Sequence, residues 1–139
     1  MKKLLLLLLC VPLMFSCGEE IKNDLTRENI KGDVKQIIET SFDAKEAFGE
    51  PQKENILYKE KCQYNEDGNI TNRTSYNADG EMISKSKFQY EDGNITESTS
   101  YNADGEIDMK WKPKYDEDGN ATERTSYNAD GEIDMKWKS

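Results

Sequence analysis

One stretch of this chain is written three times. Glu91–Lys112 and Glu117–Lys138 are 22-residue segments that differ only at Ile95/Ala121 and Ser98/Arg124, and Glu66–Lys87 is a more diverged copy. A chain with such a period builds one supersecondary unit per copy and stacks the units on one another. Each copy holds two half-units, because Tyr64, Tyr76, Tyr90, Tyr101, Tyr115 and Tyr127 each precede an acidic turn that closes with Asp-Gly and then Asn or Glu. Glycine supplies the positive backbone dihedrals of tight hairpin turns without steric cost. The period is therefore a pair of strands.

Between turns the residues alternate as strands do. Ile107, Met109, Trp111, Pro113 and Tyr115 are expected on one face, with Asp108, Lys110, Lys112 and Lys114 on the other. Met82, Ser84, Ser86, Phe88 and Tyr90 take that first face one unit earlier, and Ile95, Glu97, Thr99 and Tyr101 oppose Thr96, Ser98 and Ser100. Two earlier strands are expected over Gly32–Phe42 and Asn55–Tyr64, joined by Asp43–Glu50 as a long irregular turn. The fold class is all-β: an antiparallel meander of tandem hairpins, about eight strands, curled so that its half-apolar face covers itself.

The recurring Tyr-Asp/Asn-x-x-Gly-Asn/Glu motif resembles the YD repeats of the RHS family, and most of all short RHS-like lipoproteins of the Bacteroidota. The resemblance covers residues 32–139. It implies a β-repeat architecture that forms shells, stalks or binding surfaces. The chain lacks the long array and the C-terminal toxin segment of the large RHS proteins, so it implies no encapsulating role.

The N-terminus reads as an export signal. Lys2 and Lys3 precede the leucine run Leu4–Leu9, which is too short for a permanent span of about 30 Å, and Ser16 precedes Cys17. Residues 1–16 are expected to form a helical signal peptide that is cleaved, and Cys17 to carry lipid; Met-Phe-Ser-Cys resembles the looser lipoprotein signal of the Bacteroidota. Residues 17–31 then form the lipidated cysteine and a flexible tether, and residues 32–139 the repeat domain. Several acyl chains on one cysteine give stable anchoring where a single chain is marginal. An outer-membrane lipoprotein, periplasmic or surface-exposed, is the expected location.

Loss of residues 1–16 removes Lys2 and Lys3 and no acid, which takes the formal charge from -9 to -11. A chain this acidic is repelled by nucleic acid and by anionic headgroups, so the membrane contact expected is the lipid itself. Histidine is absent, which excludes Ser-His-Asp and Cys-His catalysis and histidine metal sites. Neither enzymatic activity nor a cofactor is expected. After processing Cys62 is the remaining thiol, aligned with Ile56, Tyr58 and Tyr64 and read as structural.

Three further patterns invite function. Asp116, Asp118 and Asn120 around Gly119 suggest calcium, but the spacing of an EF-hand loop is not met and hairpin turns require the same residues. Asn69, Asn72, Asn94 and Asn120 each open an Asn-x-Thr acceptor pattern, which turn asparagines followed by β-branched residues also produce. Trp111 and Trp137 are expected on one face two strands apart, either as the largest members of an apolar face or as a platform for ligand stacking. The sequence thus points to a non-enzymatic, lipid-anchored interaction module with a protein or glycan partner. A structural spacer or surface-coat element, and an envelope immunity protein, are the alternatives. Metabolic labelling with a fatty-acid analogue is expected to mark the chain and to fail on Cys17→Ser; loss on Cys10→Ser instead would move the site.

Overall fold

The structure, a computed structural model, describes residues 23–139. The expected signal peptide and Cys17 lie outside them. A short helix, α1 (Asp24–Arg27), precedes eight strands: β1 (Gln36–Ala47), β2 (Glu50–Tyr64), β3 (Ile70–Tyr76), β4 (Met82–Glu91), β5 (Asn94–Tyr101), β6 (Ile107–Tyr115), β7 (Ala121–Tyr127) and β8 (Ile133–Lys138). The strands form one antiparallel sheet in sequential order, the all-β meander expected of the repeats. Among the described residues no helix is long and apolar enough to cross a membrane.

The turns explain the order. In Asn77–Glu81, Gly80 N donates to Asn77 O and Asn77 N to Glu81 O, with Gly80 at φ +83°. This is a type I turn followed by a left-handed glycine, a common hairpin loop. The Asn77 side-chain oxygen also accepts from the N–H groups of Asp79 and Glu81 at 3.0 and 2.9 Å. The same bond to the fifth turn residue recurs at Asn65, Asn102, Asp116 and Asn128, which is why Asn or Asp opens these turns.

Beside each turn the pairing slips by one residue, and this corrects the expected faces. Ser100 pairs with Met109, but Tyr101 pairs with Ile107. Asp108 is thereby bulged out, and Ile107 joins Tyr101 and Lys110 instead of Met109 and Trp111. Met82 and Ile133 shift the same way opposite Tyr76 and Tyr127, so Met82 does not share a face with Ser84. Ile95, paired with Tyr90, crosses away from Glu97. Simple alternation fails wherever a bulge inserts a residue. One face carries Cys62, Arg73, Phe88, Trp111 and Trp137 and is here termed the tryptophan face; the other, the lysine face, carries Lys59, Lys61, Lys85, Lys87, Lys110 and Lys112.

The first hairpin is a fourth copy with longer arms. Ser41 pairs with Tyr58 and Phe42 with Ile56, the same slip as at Ser75/Ser84 and Tyr76/Met82. Asp43–Glu50, expected as an irregular turn, instead continues β1 into β2. The chain reverses over Phe48 and Gly49 alone, at φ 58° and 83°, the mirror-image dihedrals of a two-residue hairpin loop.

Apolar burial is confined to one corner. β1 and β8 are not neighbours, so the sheet stays open among the described residues, and the apolar face does not cover itself as expected, since Met135 and Trp137 stay exposed on it. The buried apolar residues are Leu25, Cys62, Tyr64 and Ile70, with Ile30, Val34, Ile37 and Phe88 against them. Leu25 arrives from α1. The segment expected as a flexible tether up to Lys31 is thus docked from Asn23 onward. Asn23 caps the helix through Thr26 N at 2.8 Å and donates to Asp67 O at 2.6 Å, while Asp24 accepts from Ile70 N at 2.7 Å. A helix of one turn is held by such caps and by packing, not by propensity.

Gly68 and Gly80 both sit near φ +80°, but a Cβ on Gly68 would lie 2.7 Å from Asn23 Nδ2, and one on Gly80 meets nothing. Gly80→Ala is expected to cost about 1–2 kcal/mol for the left-handed backbone. Gly68→Ala is expected to cost about 1 kcal/mol more, because Asn23 must abandon its cap. Denaturant midpoints of both variants measure the difference, and equal midpoints would remove the docking role from Asn23.

Candidate functional site

The end of the sheet farthest from α1 holds an uncovered apolar groove. On β6–β7 Trp111 pairs with Ser126 and Pro113 with Arg124; on β7–β8 Ser126 pairs with Met135 and Arg124 with Trp137. Small Ser126 therefore lies between Trp111 and Met135 and is only 8 % exposed, forming the floor of a groove. The groove, about 700 Å³, is walled by Met109, Trp111, Tyr115, Ala121, Arg124 and Trp137. Met135 and Trp137 remain 61 % and 49 % exposed. The Arg124 guanidinium lies 4.4 Å from the Trp111 ring centre, a cation–π contact that covers one side of that indole.

The structure thus brings Trp111 and Trp137 onto the same face, staggered across β7. Neither enters the buried core. The two positions at which the near-identical segments differ, Ile95/Ala121 and Ser98/Arg124, both place their later residue in the groove. Ala121 opens space where the earlier copy has isoleucine. Arg124 supplies a cation where Ser98 lies sealed between Phe88 and Trp111, 2 % exposed.

The lysine face is a ladder of charges and rings. Glu97 receives Lys110 at 3.1 Å and Lys112 at 3.0 Å, and Glu123 receives Lys114 at 2.9 Å and Lys138 at 3.5 Å. Lys59 lies 5.9 Å from the Tyr76 ring centre and Lys87 5.3 Å from that of Tyr101. Thr99, between Lys87 and Lys110, is buried by these long stems. The hydrogen bond from Lys112, joined by that from Lys110, holds the Glu97 carboxyl below its ordinary value against the opposing effect of desolvation.

The other sequence candidates have local explanations. Asp116 Oδ1 accepts from the N–H groups of Asp118 and Asn120 at 3.1 and 2.8 Å, and Oδ2 from the Asn120 amide at 3.2 Å. These bonds lower its pKa, the Asn120 backbone bond first, and commit the carboxylate to the turn. Among the described residues no group of three or more acidic or cysteine side chains converges as a metal site. Asn69 is buried beside α1, and Asn72 lies within β3. Cys62 is buried, and burial raises its pKa, so the thiol stays protonated. Burial likewise pushes the neighbouring Tyr64 up to about 12. The stacking role of Arg124 was missing from the sequence reading; its signal was the divergence of two otherwise identical copies.

Compared with models of known families and with curated proteins, the chain matches none.

Glu97→Gln is expected to lower stability at pH 7 by about 1 kcal/mol or less, as exposed ion-pair networks do. Since the folded carboxyl titrates below 4.5, this contribution is present above that value and is lost as pH falls through the lowered pKa. Denaturant midpoints of wild type and variant should converge by about pH 3. A gap of the same size at both pH values would assign the effect to packing.

Proposed function

We propose that this chain is a non-enzymatic, lipid-anchored protein of the cell envelope that acts as a binding module, and that its ligand is a glycan seated in the groove of the tryptophan face. The observation that carries the reading is where the last two copies diverge. Internal copies that agree at every other position differ at the two residues that open and charge one groove. Indole and phenol rings offer flat apolar surface to the C–H faces of sugars, while Arg124, Ser126 and Asp134 place hydrogen-bonding groups at the same groove. Arg124 stacks over one side of Trp111, and Trp137 is half exposed for contact with a sugar ring.

The anchor expected at Cys17 supports the envelope location, and the short linkage from Cys17 to the docked Asn23 would hold α1 and the β2–β3 turn beside the membrane. The groove lies toward the opposite edge of the sheet, on β6–β8, four to six strands from β2. A second reading, a structural spacer or surface-coat element, is favoured by the even repetition of hairpins and by two sheet edges left open among the described residues.

Trp137→Ala is expected to leave the fold intact, since the side chain is half exposed, and to weaken glycan binding at least tenfold, about 1.4 kcal/mol. Screening on a glycan array followed by titration calorimetry of wild type and variant gives the answer. A wild type that retains no glycan, or a Trp137→Ala variant that binds as well as wild type, would overturn the glycan assignment.

A further inference from the structure

The two edges of the sheet are the halves of a junction that the chain already makes three times. Where β2 meets β3, Lys59, Glu60 and Lys61 pair with Tyr76, Ser75 and Thr74. Where β4 meets β5, Lys85, Ser86 and Lys87 pair with Tyr101, Ser100 and Thr99. Where β6 meets β7, Lys110, Trp111 and Lys112 pair with Tyr127, Ser126 and Thr125. In each, a Lys-x-Lys strand lies against a Thr-Ser-aromatic strand in one register. At the far edge β8 presents Lys136-Trp137-Lys138, and at the near edge β1 presents Thr40-Ser41-Phe42.

We propose that copies of this chain associate head to tail, the outer edge of β8 in one copy pairing antiparallel with the outer edge of β1 in the next. Lys136, Trp137 and Lys138 then lie opposite Phe42, Ser41 and Thr40. The occupant of each edge is a second copy because the complementary strand is present in the chain itself. Direction fits: β8 runs antiparallel to β1, as β6 runs to β7, so the sheet continues without reversal. Charge fits as well, since β1 carries Glu39, Asp43 and Glu46 against one lysine, while β8 carries Lys136 and Lys138 against one aspartate. Lysine on an edge strand ordinarily discourages pairing. Here the internal junctions show how it is accommodated, with Lys59 over Tyr76 and Lys87 over Tyr101.

The arrangement is heterologous, so it does not close at two copies and grows into a ribbon. The junction is short, and its affinity in dilute solution is correspondingly low. Confinement of copies on one surface raises their effective concentration. The proposal is independent of the groove, which lies on a face and not on an edge.

The test places Thr40→Cys and Lys138→Cys together in the full chain and oxidises intact cells mildly, with wild type as the control for the native cysteines. Within one copy the two positions are seven strand spacings apart, about 34 Å, far beyond disulfide reach. A ladder of dimers, trimers and larger species from the double variant, with each single variant monomeric, is the expected result. Mixing the two single variants should give a dimer and nothing larger. A dimer from Lys138→Cys alone would show β8 pairing with itself and overturn the proposal, as would an internally crosslinked monomer. A double variant that stays monomeric under the same oxidation also overturns it.

Discussion

Contact between side chains on neighbouring strands is the interaction on which this structure depends. Beyond the corner under Leu25, the described residues lay no second layer on the sheet, so the lateral rows on each face must exclude water by themselves. They do so by alternating size. Ser98 is the most buried side chain because Phe88 and Trp111 flank it on adjacent strands, and Ser126 is sheltered in the same way by Trp111 and Met135. On the opposite face the small residue is Thr99 and the large ones are lysines, whose alkyl stems lie along the sheet with their charges outward. Cross-strand pairs of this kind contribute about 0.2–1 kcal/mol each, so the sheet is held by many modest terms spread evenly over its length.

An evenly held sheet has no natural stopping point, and its two ends are treated differently. At the first end α1 supplies a plug: Leu25 fills the space above Cys62, Tyr64 and Ile70, and Asp24 ties Ile70 N and the Tyr90 hydroxyl into the same corner. The repeat rebuilds the receptor for such a plug at each unit but weakens it in the last. The residue equivalent to Ile70 is Ile95 in the next copy and Ala121 in the last. At the far end the space that a leucine would fill is left as a groove. Arginine placement follows the same logic. Arg73 reaches Glu60 on the neighbouring strand at 3.4 Å, and its equivalent Arg124 reaches Trp111, which occupies the position of Glu60. One geometric pair serves as an ion pair in the first unit and as a cation–π pair in the last.

Much of this was legible in the residues. Asp-Gly turns and the aromatic before each one fix the seven strands β2–β8 and their order, because a hairpin loop leaves an antiparallel neighbour little choice of partner. What alternation could not show is the slip beside each turn. Counting every second residue from Trp111 puts Ile107 on its face, yet the left-handed glycine at Gly105 feeds a bulge at Asp108 that turns Ile107 over. The first hairpin hid for a different reason. Thr40-Ser41-Phe42 and Lys59-Glu60-Lys61 are present in register, but the turn motif that marks the other units is replaced by extended arms around Phe48 and Gly49. The docking of α1 has almost no sequence signature, since one helical turn shows no period and its contacts are made by scattered residues such as Asn23, Asp24 and Leu25.

The bulges also decide what each face can do. Without them Met82, Ile107 and Ile133 would join the tryptophan face and fill the spaces between its rings. Turned over, they sit beside Tyr76, Tyr101 and Tyr127 and give the lysine face an apolar margin at its turn end. The tryptophan face keeps serines at its centre, and serine is small enough to leave room between two large neighbours. Whether that room is occupied then depends on one position per unit. Ser98 leaves Phe88 and Trp111 to close over it, whereas Arg124, one copy later, holds Trp111 by stacking and keeps Trp137 apart from it. A groove on a sheet without a second layer is thus a consequence of side-chain size along a single row, and a change of two residues between copies is enough to produce it.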